Sequence, residues 1–369
     1  MIRHSRMQRG IAVITVLLAL AIAVLICSEV IMRVYNGVKR SGNHFNTEQG
    51  WEYALGGEAW ARQQLAADFE KDKIAVKTDH FLEKWAVPAQ KIAVEGGSIE
   101  IEIYDMQARF NLNNLVDEDG SIDPAQVNIL KNLLSTLGVR PVYADLAARW
   151  ASYANDNDDM YDSDKTPYRA ADTQFGSVSE MRQLKDIEMK EYLRIQPYLS
   201  ALPVPVSVNI NTAPEPLLAS IAGNTEQSGE KIKSFLEQRK QQLNGYASPD
   251  AFVEIVGGKD EGEDEDEDTA ELLTVSSEYF EVRVIAEYNG RRVWLISTLF
   301  RDEQTGEISL LSRDTSQRFT LGTSPLSNDS NSSDDKKNDN SETGKKDSKT
   351  EKNKEMDEKD TNEDNQENR

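Results

Sequence analysis

The chain has 369 residues, a length that suggests two or three folded units. Its 64 acidic and 42 basic residues leave a formal net charge of −22, which disfavours nucleic-acid binding because Lys and Arg supply most of the affinity for phosphate. A single cysteine, Cys27, excludes an internal disulfide framework and a cysteine-based zinc site, and three histidines leave little for histidine-centred catalysis. No catalytic residue is predicted.

The N-terminal region is apolar and preceded by positive charge. Residues 11–32 form a run of 22 residues, which at about 1.5 Å each reach about 33 Å and can cross the hydrocarbon core of a bilayer. Arg3, Arg6 and Arg9 precede the run, so we expect the N-terminus in the cytoplasm and the rest of the chain outside it. The alternative is a secretory signal cleaved after Ala23, but the apolar run continues beyond that residue.

An amphipathic helix follows this apolar run. Its apolar residues recur at intervals near three, four or seven, and they are Phe45, Trp51, Leu55, Ala59, Ala66 and Phe69. Gly50, Gly56 and Gly57 each weaken a helix by up to about 1 kcal/mol relative to Ala, so packing must hold it. The pattern predicts one helix from Ile11 to about Glu70, half in lipid and half under a head.

Two distant segments carry the alternation of a half-buried strand. Residues 98–103 alternate strictly, and so do residues 280–286, which lead through Asn289 and Gly290, a favoured hairpin turn, into a return strand at 293–300. Because most of the chain between them reads as helical, the sequence predicts an α+β fold with a pilin-like architecture. In this fold a long N-terminal helix packs on a small antiparallel sheet, and a large helical domain is inserted between the strands.

The helical stretch contains five predicted helices, at 125–137, 141–154, 178–196, 214–222 and 230–243. The whole chain then divides into a leader at 1–10, a transmembrane helix at 11–33, a stem and first head segment at 34–105, the insertion at 106–275, the last head strands at 276–302 and a polar tail at 303–369. From residue 323 onwards the tail has no aromatic residue and almost no aliphatic one, so we expect disorder there.

An Asp-rich loop between the second and third predicted helices is the densest chemical feature. Calcium binds six to eight oxygens from carboxylates, amides, backbone carbonyls and water, and an irregular loop of this composition can supply them. The spacing is not that of an EF-hand, and a solvated acidic loop is the alternative. The candidate metal ligands are Asp156, Asp158, Asp159, Asp162 and Asp164.

Two further features are weaker. Residues 260–268 contain eight acids in nine residues and are typical of an expanded surface loop. Residues 209–214, with the helical stretches after them, are similar to half of a helix-hairpin-helix module, which grips the DNA backbone. Only one glycine lies in the corresponding hairpin and the acidic run is near it, so a packing unit without DNA contact is favoured.

Four motifs, in order along the chain, resemble the minor pseudopilin K family of type II secretion systems. Arg9-Gly10 before Ile11 resembles a prepilin cleavage site, and Thr15 stands where other pilins have Glu, an exception that the K family shares. The other matches are residues 58–62 (EAWAR), 109–115 (RFNLNNL) and 179–182 (SEMR). The resemblance is scattered over the chain from Gly10 to about Arg301.

The resemblance implies a pseudopilin processed between Gly10 and Ile11 by prepilin peptidase and N-methylated, anchored in the bacterial inner membrane with its head in the periplasm. It implies assembly with minor pseudopilins I and J and the major pseudopilin, at the tip of the pseudopilus, and it supports calcium at the Asp-rich loop. The alternatives from the residues are a membrane-anchored DNA-uptake protein and a calcium-dependent hydrolase, the latter disfavoured because one loop alone would supply its metal ligands.

Overall fold

The computed structural model describes residues 5–72, 77–88, 90–154, 161, 167–223, 225–256 and 269–322. The helices of this part are α1 (Ser5–Asp72), α2 (Pro124–Thr136), α3 (Val142–Ala151), α4 (Met189–Ile195), α5 (Glu215–Ile221), α6 (Glu226–Gln241) and α7 (Asp250–Val256). The strands are β1 (Gln90–Val94), β2 (Gly97–Asp105), β3 (Phe110–Asn111), β4 (Leu199–Ser200), β5 (Val208–Asn209), β6 (Leu273–Thr274), β7 (Tyr279–Tyr288), β8 (Arg291–Arg301) and β9 (Ile308–Asp314).

The head is a five-stranded antiparallel sheet in the order β1-β2-β7-β8-β9. β2 pairs with β7 across a gap of more than 170 residues, with Ile101 opposite Val284. The chain between these strands forms the helical insertion, which confirms the predicted α+β, pilin-like fold. Asn289 and Gly290, with φ of 45° and 74°, make the predicted two-residue turn.

The membrane-distal half of α1 packs on one face of this sheet. Its buried apolar positions recur at spacings of three and four, the first four of them are small, and they are Gly50, Ala54, Gly57, Ala61, Leu65 and Phe69. Of the predicted apolar stripe, Phe69 is buried, and Trp51 and Leu55 are partly buried against the same core as Ala54. Ala59 and Phe45, which the apolar spacing predicts to be buried, are exposed. The backbone of α1 therefore lies close against the sheet, which a row of large side chains would prevent.

Gly57 shows why the helix accepts glycine here. A Cβ atom at this position would lie 2.7 Å from Cγ1 of Val284 and 3.1 Å from Cγ2 of Ile99. A Cβ atom at Gly56, one residue earlier, would meet nothing within 4 Å. The cost to helix propensity at Gly57 is thus offset by close packing of helix on sheet.

The insertion has a hydrophobic core of its own, separate from the one between α1 and the sheet. Its helices broadly follow the predicted ones, with one exception. The stretch predicted as a single helix at 178–196 is a 3-10 helix, Val178–Gln183, followed after a break by α4. Asp186, at φ 61°, lies in the break, and the left-handed conformation interrupts the helical path.

The sheet continues where the sequence predicts the start of a polar tail. After Arg301 the chain turns and adds β9, whose Leu310 pairs with Leu299 of β8. A segment at 315–322 then crosses the outer face of the sheet. There the indole nitrogen of Trp294 donates to the carbonyl of Phe319, and the amide of Gly322 donates to Glu102. The alternating pattern of β9 is short and is flanked by polar residues, so the sequence alone does not predict this strand.

Candidate functional site

The N-terminal half of α1 leaves its apolar side chains exposed. Residues 11–35 are all exposed, and by length and composition the helix can cross a membrane. The hydroxyl of Thr15 donates to the carbonyl of Ala12 at 2.9 Å, so it is satisfied within its own helix. The helix is thus consistent with membrane anchoring. Gly10 and Ile11, the predicted processing site, are consecutive residues within α1.

The asparagines of residues 109–115 join loops inside the insertion. Asn113, fully buried, accepts from the amide of Phe175 at 2.7 Å and donates to the carbonyls of Phe175 and Leu202 at 3.0 and 2.7 Å. Asn111 and Asn114 bond in the same way to backbone groups between 202 and 206. Buried polar groups need hydrogen-bond partners, and the side-chain amides of these asparagines supply them to backbone groups of the loops. The motif therefore has a structural role.

The arginine that begins this motif ties the insertion to the sheet. Arg109 donates two hydrogen bonds to Glu281 of β7, at 3.0 and 3.2 Å, and Arg283 donates a third at 2.6 Å. Burial raises the pKa of Glu281, but the charges of Arg109 and Arg283 outweigh this and hold it at about 2. The carboxylate is therefore ionised at neutral pH.

The motif at residues 58–62 forms a second tie, between α1 and the sheet. Glu58 is buried in the helix–sheet interface, and it accepts from Arg313 of β9 at 2.7 and 2.8 Å and from Ser297 of β8 at 2.7 Å. Arg62, one turn along the helix, lies 2.6 Å away. Although burial raises the pKa of Glu58, the hydrogen bonds from Arg313 and Ser297 lower it to about 2.

The motif at residues 179–182 caps a 3-10 helix. The carboxylate of Glu180 accepts from the amides of Gly176 and Ser177, at 2.9 and 3.1 Å, and completes a capping box. Met181 is fully buried in the core of the insertion.

Residues 209–212 of the helix-hairpin-helix-like segment are buried rather than presented to a ligand. Asn209 donates to Asp105 at 3.0 Å and to Ser277 at 2.9 Å, while Thr212 donates to Asp105 at 2.5 Å. Ser277 also donates to Asp105, at 2.6 Å. We call these four residues the buried joint, because they connect the end of β2, the insertion and the return to β7. Burial raises the pKa of Asp105 to about 6.

A cluster of charged side chains lies beside this joint, at the membrane-distal end of α1. We call it the junction cluster, and its members are Asp68, Asp79, His80, Glu83 and Arg301. The Nη2 atom of Arg301 lies 2.7 and 2.6 Å from the two oxygens of Asp79, and its Nη1 atom lies 3.7 Å from Asp68. No sequence pattern marks this cluster, because its members are scattered over more than 230 positions.

The junction cluster contains the carboxylates of Asp68, Asp79 and Glu83, with oxygens within 4.8 Å of one another. By spacing alone, this buried acidic cluster could hold a metal ion. Arg301, however, already places its guanidinium on both oxygens of Asp79, so the cluster contains a positive charge of its own. The five predicted calcium ligands, Asp156, Asp158, Asp159, Asp162 and Asp164, lie outside the described residues.

These features define a class of protein: a membrane-compatible helix that continues as the stem of a pilin-like head, with an insertion joined to the head by buried polar contacts. Two family models described as "Type II secretion system (T2SS), protein K" match residues 108–204 and 208–276. The protein K of Pseudomonas aeruginosa is 33% identical over 331 residues, covering 85% of this chain and 94% of the relative. That of Pectobacterium carotovorum is 30% identical over 298 residues, covering 75% and 88%.

The chain belongs to the type II secretion system protein K family. A solved structure, that of the GspK-GspI-GspJ complex from enterotoxigenic Escherichia coli, has the same fold with a TM-score of 0.64. It covers 76% of this chain and 100% of the solved one at 23% identity. The predictions of a minor pseudopilin and of a non-enzymatic protein are confirmed by this family. The motifs at 58–62 and 109–115 form the two ties to the sheet, and the motif at 179–182 caps a 3-10 helix.

Proposed function

We propose that this chain is the tip subunit of a type II secretion pseudopilus, where it initiates or caps the filament together with minor pseudopilins I and J. The observation that carries the proposal is that the insertion is attached at the membrane-distal end of the stem. There the backbone carbonyl of Asn244, in the insertion, accepts a hydrogen bond from the hydroxyl of Thr78. The buried joint lies at the same end. A domain fixed there occupies the space in which a further subunit would stack.

The membrane segment supports the same position. In ordinary pilins the Glu five residues into the mature chain is thought to pair with the N-terminal amine of a neighbour, since an unpaired charge in lipid is costly. Here Thr15 takes that place, and its hydroxyl is bonded within its own helix. The chain thus offers no carboxylate to a subunit ahead of it, and a tip subunit needs none.

Counting subunits tests the tip position. Pseudopili assembled to different lengths would be purified from cells that overproduce the major pseudopilin, and the chain would be quantified by mass spectrometry. We expect a constant number of copies per filament, with I and J in fixed ratio to it. Copies that increase in proportion to filament length would contradict the proposal.

We further propose that prepilin peptidase cuts between Gly10 and Ile11 on the cytoplasmic side and that the new N-terminus is methylated, with the head in the periplasm. Mass spectrometry of the protein from membranes should find a chain that begins at N-methylated Ile11. A Gly10→Val variant should keep its leader, while Gly37→Val, at another glycine of α1 with open space around it, should be processed normally. A mature chain that begins at Val24 would indicate a secretory signal and overturn the anchor.

We propose calcium as the ligand of the Asp-rich loop. Its support is the composition of residues 155–164 and the resemblance to the family. An ion that binds only the native state raises the free energy of unfolding. Added calcium should therefore raise the melting temperature of the protein, and a chelator should lower it. Asp158→Ala and Asp159→Ala should abolish that response. Asp264→Ala, in the second acidic run, is the matched control and should retain it.

A further inference from the structure

A cleft lies where the insertion meets the outer face of the sheet, the face that does not pack on α1. Its volume is about 760 Å³, which is within the size range of ligand sites. One wall is the outward side of β7, β8 and β9, and a second is the insertion at 175–179 and 199–203. The third wall is residues 317–319 of the segment that crosses the sheet. We call this space the outer cleft.

Two buried polar groups on the walls of the outer cleft are left over by the internal hydrogen bonding. Ser200 is fully buried, and its hydroxyl has no hydrogen-bond partner within the described part of the chain. The same holds there for the Nε atom of Arg109, a residue that is 6% exposed. Both Nη atoms of Arg109 donate to Glu281, so its Nε–H is the donor that remains. Because buried polar groups of native proteins nearly always have partners, these two donors indicate a ligand that completes them.

The walls that carry these donors are held in place by the asparagines of residues 109–115. Ser200 lies opposite Asn111 in the short pairing of β3 with β4. Two residues further on, Leu202 donates its amide to Asn111 at 2.9 Å, and its carbonyl accepts from Asn113 at 2.7 Å. The donors are therefore fixed before a ligand arrives, and little conformational entropy is lost when it binds.

The outer cleft has a surplus of positive charge, although the chain as a whole has a net charge of −22. Its charged lining consists of three cations and two anions, and they are Arg109, Arg283, Arg318, Glu281 and Asp314. Glu281 is paired with Arg109 and Arg283, while the oxygens of Asp314 accept from Ser316 and Gln317. Arg318, at the exposed rim, lies over the ring of Trp294 and makes no ion pair with any described residue. This charge pattern favours an anionic ligand.

We propose that the outer cleft binds an extended acidic peptide of a partner protein, whose carboxylates accept from the Nε–H of Arg109 and the hydroxyl of Ser200 and face Arg318 at the rim. Between these donors the lining is apolar, with Ile296, Leu311 and Phe319. Successive side chains of an extended peptide point to opposite sides, so acidic residues that alternate with apolar ones match both kinds of lining. The arginines repel a metal ion, and the net charge of the chain disfavours a nucleic acid.

Fluorescence anisotropy with the full chain in detergent micelles tests the proposal. The probe is a labelled hexapeptide with blocked ends, Glu-Leu-Glu-Ser-Glu-Leu, and its matched control has Gln in place of each Glu. We expect saturable binding of the acidic probe that weakens as salt is added, and at least about tenfold weaker binding of the Gln peptide, because hydrogen bonds to a charged group are the stronger ones. An acidic probe that does not bind saturably, or two peptides that bind equally, would overturn the proposal.

Ser200→Ala separates a binding role from a structural one. Removal of a buried hydroxyl that bonds to no described residue leaves no group of the protein unpaired, so the melting temperature should not fall. Binding of the acidic probe should nevertheless weaken about three- to tenfold. Arg318→Gln should weaken it about threefold and reduce its salt dependence. Arg291→Gln, the same change at an exposed residue of the hairpin outside the cleft, should match the native protein.

Three further results would refute the site. A Ser200→Ala variant that melts at a lower temperature and binds the probe normally would show that the hydroxyl is structural. Equal weakening by Arg291→Gln and Arg318→Gln would show general attraction between charges instead of a built site. Free succinate that displaces the probe at the same concentration as the unlabelled peptide would show that the ligand is a small dicarboxylate and not a peptide.

Discussion

The stem–sheet unit and the insertion bury their polar groups in different ways. Between α1 and the sheet the buried polar contacts centre on a charged group, Glu58, which pairs with Arg313. Inside the insertion, the signature asparagines bond to backbone amides and carbonyls of distant loops, as Asn113 does with Phe175. Ion pairs respond to pH and amides do not, so the two regions should differ in what destabilises them.

The largest effect is expected where an amide holds several backbone groups. Asn113→Ala leaves the amide of Phe175 and the carbonyls of Phe175 and Leu202 buried without this partner. We expect a loss of about 4 kcal/mol in the free energy of unfolding, with little dependence on pH. Urea unfolding would measure it. Asn128→Ala, at an exposed position of α2, should change stability by less than about 1 kcal/mol, and equal losses in both variants would refute the joining role.

Acid should act on the stem–sheet unit first. The folded pKa of Glu58 is depressed to about 2, so its contribution is present above about pH 4.5 and is lost as the pH falls towards 2. The maximum loss is about 3 kcal/mol. Glu58→Gln should be less stable than the native protein at pH 7 and should approach it at pH 3, as urea unfolding at the two pH values can show. A gap of equal size at both values would contradict this.

Because α1 lies close to the sheet, substitutions at two adjacent glycines should change stability in opposite directions. Both changes should be of intermediate size. Gly57→Ala pushes a methyl group towards Val284 and should cost about 1–3 kcal/mol. Gly56→Ala meets open space and should stabilise α1 by up to about 1 kcal/mol through helix propensity. Thermal unfolding of the two variants measures both. Stabilisation by both substitutions would show that the interface is looser than described.

The hairpin between β7 and β8 provides the smallest effect. Asn289 has a φ of 45°, a conformation that Asn adopts more readily than Ala. Asn289→Ala should cost about 1 kcal/mol, while Asn289→Gly should change stability by only a few tenths of that. The melting temperature of each variant is the measurement. A loss of the same size in both would point to the side chain of Asn289 rather than to its backbone.

The sequence by itself determined the features that depend on local pattern. An unbroken apolar run makes a membrane-compatible helix because its length matches a bilayer, and period-two alternation with an Asn-Gly turn makes a hairpin because strands expose alternate faces. The motifs around Gly10, Glu58, Arg109 and Glu180 led to the family. They did not reveal that Glu58 and Arg109 form buried ion pairs or that Glu180 caps a 3-10 helix.

Only the tertiary structure decided which residues meet across long distances in the chain. The interface of α1 has small residues at Gly50, Ala54, Gly57 and Ala61 because β2, β7 and β8 approach its backbone closely there. The pairing of Glu58 with Arg313 and of Asp79 with Arg301 spans more than 200 positions, and no periodicity records it. Burial also raises the pKa of Asp105 to about 6, since the energy of a charge depends on the dielectric and the charges around it rather than on its neighbours in sequence.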